Sequence, residues 1–178
     1  MAIYTKTGDK GQTKVFDKKT GALIGINKDS CKIKSIGVID ELNSFLGVIK
    51  SFSADKTLQK KLIEVQGNLF TINSILAGSK LRFSKIKTKK LEIEIDKWEG
   101  TLPVLKNFIY YGGSSEASLI FYARALSRRA ERELVAFSHI QYTNPKILVY
   151  LNRLSDYLFM LARAQNFESK QPEKAWRR

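Results

Sequence analysis

The sequence predicts an all-α protein, a bundle of about five helices behind an irregular amino-terminal segment. Three observations predict it. Apolar residues recur at three- and four-residue spacing through most of the chain. Turn and capping signals cut that pattern into helix-length pieces. The opening residues show no such period and carry glycine, lysine and threonine instead.

The opening segment holds Thr5-Lys6-Thr7-Gly8-Asp9-Lys10-Gly11-Gln12-Thr13, which packs two glycines, three hydroxyls, two lysines and one aspartate into nine residues. Glycine admits backbone approach that a side chain would block. Successive free N–H groups in such a turn can form a concave nest for phosphate, and Lys6 and Lys10 can neutralise its oxygens. No Gly-Lys-Ser/Thr ending opens a helix here, so the loop is not a Walker A motif.

A first helix is expected over residues 34–53, with Ile36, Ile39, Leu42, Leu46, Ile49 and Phe52 at helical spacing. A second is expected over residues 53–78. There Leu58, Leu62, Val65, Leu69, Ile72 and Leu76 alternate by four and three, a seam that packs on other helices. The third starts near residue 88 with Leu91, Ile95 and Trp98 on one face, although Leu91-Glu92-Ile93-Glu94-Ile95 also alternates as a strand would. Gly112-Gly113 breaks the chain. Ser114 or Ser115 can cap the fourth helix, which extends to about residue 137. Asn144-Pro145 starts the last, whose face is Ile147, Leu151, Leu154, Leu158 and Leu161. Residues 165–178 read as a polar tail with Pro172 and Trp176.

Composition narrows the function. The 178 residues suit one domain with one core. Without an apolar run that could span a bilayer or an apolar signal core at the amino terminus, a cytoplasmic protein is expected. One cysteine, Cys31, allows no intrachain disulfide and reads as a small apolar residue. One histidine, His139, leaves no pair of Glu-x-x-His motifs for a di-iron bundle. The net charge of +14 calls for an anionic partner: nucleic acid, acidic lipid or a small anion. The lysines from residue 79 to 90 read as a solvated loop leading into a helix. The arginines differ, because Arg124, Arg128 and Arg132 lie four apart and share one helix face, with Glu131 beside them. Guanidinium suits bidentate phosphate recognition. The stripe has two readings, a phosphate site and a solvated basic face. Asp40, Asn43 and Gly47 on the first helix, and Asn152, Arg153 and Asp156 on the last, are polar groups on apolar faces, where they build a site or satisfy each other. Phe108, ahead of the double glycine, closes a pocket or belongs to the core.

Four segments taken together resemble one family. They are Tyr4 to Thr13, Gly37-Val38-Ile39-Asp40-Glu41-Leu42-Asn43-Ser44, Arg128-Arg129-Ala130-Glu131-Arg132, and Tyr150-Leu151-Asn152-Arg153-Leu154-Ser155-Asp156-Tyr157-Leu158-Phe159. In this order they resemble the PduO-type ATP:cob(I)alamin adenosyltransferases over nearly the whole chain. The resemblance implies a ferritin-like five-helix bundle and one domain over residues 1–178. Its parts would be a nucleotide loop at 1–33, the bundle at 34–167 and a tail at 168–178. It also implies a homotrimer with active sites between subunits. The implied reaction moves the 5′-deoxyadenosyl group of ATP to the cobalt of reduced cobalamin and leaves triphosphate, with Mg²⁺ accompanying ATP. A reductase and an adenosylcobalamin-dependent enzyme are implied partners; nucleic acid and membrane are not.

Carried over by position, the ATP-binding residues are Thr5, Lys6, Thr7, Gly8, Asp9, Gly11, Thr13, Lys28, Arg128, Glu131, Arg132 and Asn152. The corrinoid side takes Asp40, Asn43, Arg124 and Phe108. Arg128 would grip the polyphosphate, Asp40 and Arg124 would pair across a subunit boundary, and Phe108 would fill the lower face of cobalt. Arg128, Asp40, Arg124 and Phe108 are thus the expected catalytic set. The chain departs from the family's common pattern at Tyr110-Tyr111, where Leu-Pro is usual, and at Ile120-Phe121, where Leu-His is frequent. Two other readings compete: a non-catalytic ATP- and cobalamin-binding bundle acting as chaperone or sensor, and a basic nucleic-acid-binding module. The second lacks exposed aromatics interleaved with its arginines.

Overall fold

The computed structural model describes residues 4, 6–17 and 20–177. Five helices follow a hairpin: β1 (Gln12–Asp17), β2 (Ala22–Asn27), α1 (Cys31–Phe52), α2 (Lys56–Leu76), α3 (Ile86–Glu99), α4 (Ser115–Ser138) and α5 (Pro145–Glu168). The helix starts follow local chemistry. Ser30 accepts from Ile33 N, Asp55 from Thr57 N, Ser114 from Ala117 N, and Asn144 from Lys146 N ahead of Pro145. These bonds satisfy amides that the first turn leaves without helical partners. Only α3 starts without a side-chain cap.

The apolar stripes meet in one core. α1 packs on α2 and α4, α4 on α5, and α3 on α5. Every member of the expected α2 seam is buried, as are Leu91, Ile95 and Trp98 of α3 and all five expected residues of α5. Each fully buried leucine contributes about 1.5–3 kcal/mol relative to exposure. The strand alternative for 91–95 fails because Ile93 faces solvent from a helix. Phe52, expected on the buried face of α1, sits at the helix end and is exposed. The basic run is anchored rather than wholly solvated: Phe83 is buried and packs edge-on against Tyr150, with ring centroids 5.1 Å apart, Thr88 is buried, and Lys90 pairs with Glu64.

Two segments are more ordered than the sequence suggests. The amino-terminal segment contains an antiparallel hairpin in register from Gln12↔Asn27 to Asp17↔Ala22. It docks on the end of α2 through Phe16 N donating to Ala77 O at 3.1 Å. The polar tail, expected from residue 165, begins only after α5 ends at Glu168, and Gln165 and Asn166 are buried. The chain then turns back, and Ala175 forms an isolated antiparallel bridge with Ile109.

The double glycine is fixed by α5. Asn166 accepts from Ser114 N at 2.9 Å and donates to Gly112 O at 2.8 Å. Gly113 has φ +113°, and a Cβ there would lie 2.0 Å from Asn166 Oδ1. Only glycine fits both demands.

Candidate active site

Two groups of the expected residues come together, on different elements. The first is the turn before β1. Gly11 N donates to Gly8 O at 3.2 Å, and Lys28, just past β2, closes the turn from the other side. Its backbone N donates to Gly11 O at 2.9 Å and its Nζ to Gly8 O at 2.9 Å. Lys28 therefore lies against the loop to which the resemblance assigns it. The hairpin explains why residues twenty apart meet, since its register carries Asn27 back to Gln12. Gly8 is tightly enclosed: a Cβ would lie 3.3 Å from both Gln12 O and Lys28 Nζ. Lys6 has φ 56°, a left-handed conformation uncommon for a residue with a side chain. Lys6, Thr7, Asp9, Lys10 and Gly11 are exposed and Thr13 is half-buried. Thr5 lies outside the described residues.

The second group is the surface shared by α4 and α5. Arg128 and Arg132 are exposed and make no ion pair with a described residue, while Arg129 turns to α1 and pairs with Glu41. Asn152 Nδ2 donates to Glu131 Oε1 at 2.8 Å, which joins α5 to the arginine face. Arg153 and Asp156 satisfy each other at 2.8 Å. Guanidinium groups one turn apart repel, so Arg128 and Arg132 together favour an anion. Among the described residues no group of three His, Cys, Asp or Glu could hold a metal ion.

The corrinoid-side residues divide. Asp40 is exposed on α1. Asn43 is buried, and its amide has no partner among the described residues. Phe108 is 81% exposed, which rules out the core reading. It lines a cavity of about 780 Å³ with Tyr111, Phe159 and Trp176. Arg124 Nη1 donates to Tyr111 Oη at 3.2 Å, and its guanidinium lies 5.2 Å from the Tyr111 ring centroid and 5.5 Å from that of Phe159. The Tyr111 ring stacks on Phe121 at 5.1 Å, and Phe121 meets Phe159 at 5.9 Å. Two of the departures, Tyr111 and Phe121, thus contact each other, and Tyr111 with Phe159 flanks Arg124. Sequence reasoning missed this cluster and the place of Trp176 on the cavity wall, because no local spacing connects residues 111, 121, 124, 159 and 176. A second cavity of about 800 Å³ lies between α3 and α5. Its Arg153 is already paired with Glu92 and Asp156.

Known proteins resemble this chain in sequence and fold. A family model described as cobalamin adenosyltransferase matches residues 3–165. A corrinoid adenosyltransferase of Bacillus subtilis is 40% identical over 177 residues, covering 95% of this chain and 89% of that one. The corrinoid adenosyltransferase MMAB of Homo sapiens is 34% identical over 186 residues, covering 98% and 72%. A PduO-type ATP:corrinoid adenosyltransferase from Lactobacillus reuteri was solved with cobalamin and ATP as a phenylalanine-to-alanine variant. It superposes with a TM-score of 0.92 at 34% identity, covering 99% of this chain and 100% of that one. Fold, motif order and similarity along nearly the whole length agree, and the chain belongs to the cobalamin adenosyltransferase family.

Proposed function

We propose that this protein transfers the 5′-deoxyadenosyl group of ATP to the cobalt of reduced cobalamin and releases triphosphate. The observation that carries the reading is a lysine-closed glycine turn in the same chain as an arginine stripe that lacks a carboxylate partner among the described residues. The electron pair of Co(I) attacks C5′ of ATP, the C5′–O5′ bond breaks, and the oxygen leaves with the triphosphate. Cobalt is formally oxidised by two electrons to Co(III). The nucleophile belongs to the substrate, so the chain needs no activated Cys or His.

Its own residues bind and stabilise. Amides of the turn around Gly8 and Gly11, with Thr5, Thr7 and Thr13, would wrap the phosphates. Lys6 and Lys28 would neutralise them, and Asp9 would orient a lysine or a metal-bound water. Arg128 and Arg132 would stabilise charge as it builds on the leaving oxygen. Glu131 holds the Asn152 amide by one nitrogen proton, which leaves the amide oxygen for the nucleotide. Phe108 presents an aromatic face into an apolar cavity, as a group that displaces the dimethylbenzimidazole ligand from cobalt would. Arg124 and Asp40 would shape the corrinoid side, with Asn43 on the same helix as Asp40. Mg²⁺ would arrive on the nucleotide's phosphate oxygens.

The turn and the arginine stripe sit on different elements, which fits a homotrimer in which one subunit's loop faces its neighbour's α4. Exposed Val48 and Phe52 on α1 and Tyr122 on α4 are apolar surface for such contacts. The protein would work in the cytoplasm, between a reductase that supplies electrons and an enzyme that uses adenosylcobalamin. No described helix is long and apolar enough to cross a membrane.

The experiment is ³¹P NMR of ATP turnover with reduced cobalamin, in which the three phosphates of ATP should appear only as triphosphate. A chain that binds both substrates without releasing triphosphate would be a chaperone or sensor instead.

A further inference from the structure

We propose that the end of the bundle where α3 and α5 begin is a docking surface for an anionic lipid bilayer. No described helix is long and apolar enough to cross a membrane, so the attachment is peripheral. The family resemblance implies no such partner. The inference is independent of the adenosyltransferase reading and concerns a part of the chain that the reading does not use.

Charge gathers at this end. Residues 79–90 carry Lys80, Arg82, Lys85, Lys87, Lys89 and Lys90 and no Asp or Glu, and residues 139–149 add Lys146, again with no Asp or Glu. Three of these cations have internal partners: Lys87 donates to Asn68, Lys90 pairs with Glu64, and Lys89 lies 3.9 Å from Glu92. Lys80, Arg82, Lys85 and Lys146 are exposed and make no ion pair with a described residue. Two of them stand where a helix disfavours cations. Lys85 is the cap residue of α3, which has no side-chain cap bond, and Lys146 lies in the first turn of α5. The partial positive charge of a helix amino terminus favours acids there. Such departures from local preference are expected where a surface serves function.

The two segments form one surface. Phe83 packs against Tyr150, which joins the loop before α3 to α5. Lys85, Ile86 and Lys89 share a groove of about 610 Å³ with Pro145, Lys146 and Val149. Leu81, Ile86, Ile140, Tyr142 and Val149 each keep more than half of their surface exposed. Thr143 is buried, which ties the loop carrying Ile140 and Tyr142 to the bundle. Large apolar side chains among unpaired lysines have the make-up of an interfacial site. The cations meet lipid phosphates, and the aliphatic groups enter the headgroup and acyl boundary. Nucleic acid would satisfy the cations but leave Leu81, Ile86, Ile140 and Val149 without a counterpart, since stacking on bases needs aromatic rings.

The test is co-sedimentation of the full chain with sucrose-loaded vesicles, made of phosphatidylglycerol and phosphatidylcholine in equal parts or of phosphatidylcholine alone. The protein should sediment with the anionic vesicles and stay in solution with the neutral ones. Lys85→Glu combined with Lys146→Glu should weaken binding to anionic vesicles by about tenfold or more, since each basic residue near the surface contributes roughly fivefold. Both substitutions place an acid at a helix amino terminus, which favours the helix. Circular dichroism and adenosylation in solution should therefore match the parent's. Ile86→Ser combined with Ile140→Ser should weaken binding by about fivefold with every charge in place, as loss of buried apolar surface requires. Equal sedimentation with both vesicles, sedimentation with neither, or parent-like binding by the lysine variant would overturn the proposal. So would unchanged vesicle binding by the isoleucine variant; a duplex DNA oligonucleotide bound equally well by parent and variant would then mark a polyanion site instead.

Discussion

Arg124 is held within its own chain by the hydroxyl and ring of Tyr111, together with the ring of Phe159. All of these partners are neutral. They orient the guanidinium without compensating its charge, and in the proposed homotrimer a carboxylate from a neighbouring subunit would do so. Asp40 is exposed on α1 and matches that need. If the proposed homotrimer brings the two together, Arg124→Glu alone should weaken both corrinoid binding and subunit association, and adding Asp40→Arg should recover part of each. A double-mutant cycle should give a coupling on the order of 1–3 kcal/mol, the range for residues of one ion-pair network. Strictly additive losses, with no recovery by sedimentation or corrinoid titration, would separate the two residues.

Arg128 should be the most sensitive position of the stripe. Lysine keeps its charge but loses the planar two-pronged donor. Arg128→Lys should lose most turnover, by about 2.7–4 kcal/mol if it resembles loss of one preorganised donor to a developing anion. ATP affinity should change far less. Steady-state kinetics beside calorimetry give both quantities, and near-parental kcat would take Arg128 out of the role.

Gly8 tests the loop. A branched side chain there meets Gln12 O and Lys28 Nζ at once, since even a Cβ lies 3.3 Å from each. Gly8→Val should abolish ATP binding and leave the helical circular dichroism unchanged, because no helix packs on the turn's interior. Normal ATP binding by the variant would show that the turn is not the phosphate cradle.

How much of this was legible in the sequence depended on the range of the contacts. The α2 seam and the α5 face were, because 3.6-residue periodicity is local and burial follows it. The arginine stripe was, for the same geometric reason. The hairpin was not, because Val15 is its one fully buried residue and Ala22 to Gly25 are exposed, which leaves too little alternation to read. The return of the carboxy-terminal segment was not, because Glu173 and Trp176 depend on Arg163 and Phe108, partners that no local pattern announces. Lys28 came from family resemblance alone, and the hairpin register is its physical reason.

Alkaline pH should destabilise the bundle through its tyrosines. Burial pushes the phenols of Tyr150 and Tyr157 above their ordinary value of 10.0. The raised folded-state pKa means that stability is fully present below the unfolded value and is lost as pH rises beyond it, because only the unfolded chain ionises there. Each such tyrosine contributes a slope of about 1.4 kcal/mol per pH unit above about pH 10. Lys61 acts in the opposite sense, since burial lowers its pKa and relief of that penalty favours the folded state as pH rises. Comparing Tyr157→Phe with the parent isolates one tyrosine. Urea unfolding across pH 9 to 11.5 should show the variant losing stability less steeply; equal slopes would mean that Tyr157 ionises in the folded protein.

The central claim is adenosyl transfer to cobalt, and the visible spectrum of the corrinoid reads it directly. The protein is incubated anaerobically with ATP, Mg²⁺ and chemically reduced cobalamin, in the dark. The Co(I) spectrum should give way to that of adenosylcobalamin, the product should revert on exposure to light as the Co–C bond breaks, and Arg128→Lys should slow the change. A Co(I) spectrum that persists with ATP bound, or that changes equally fast without the protein, would contradict it.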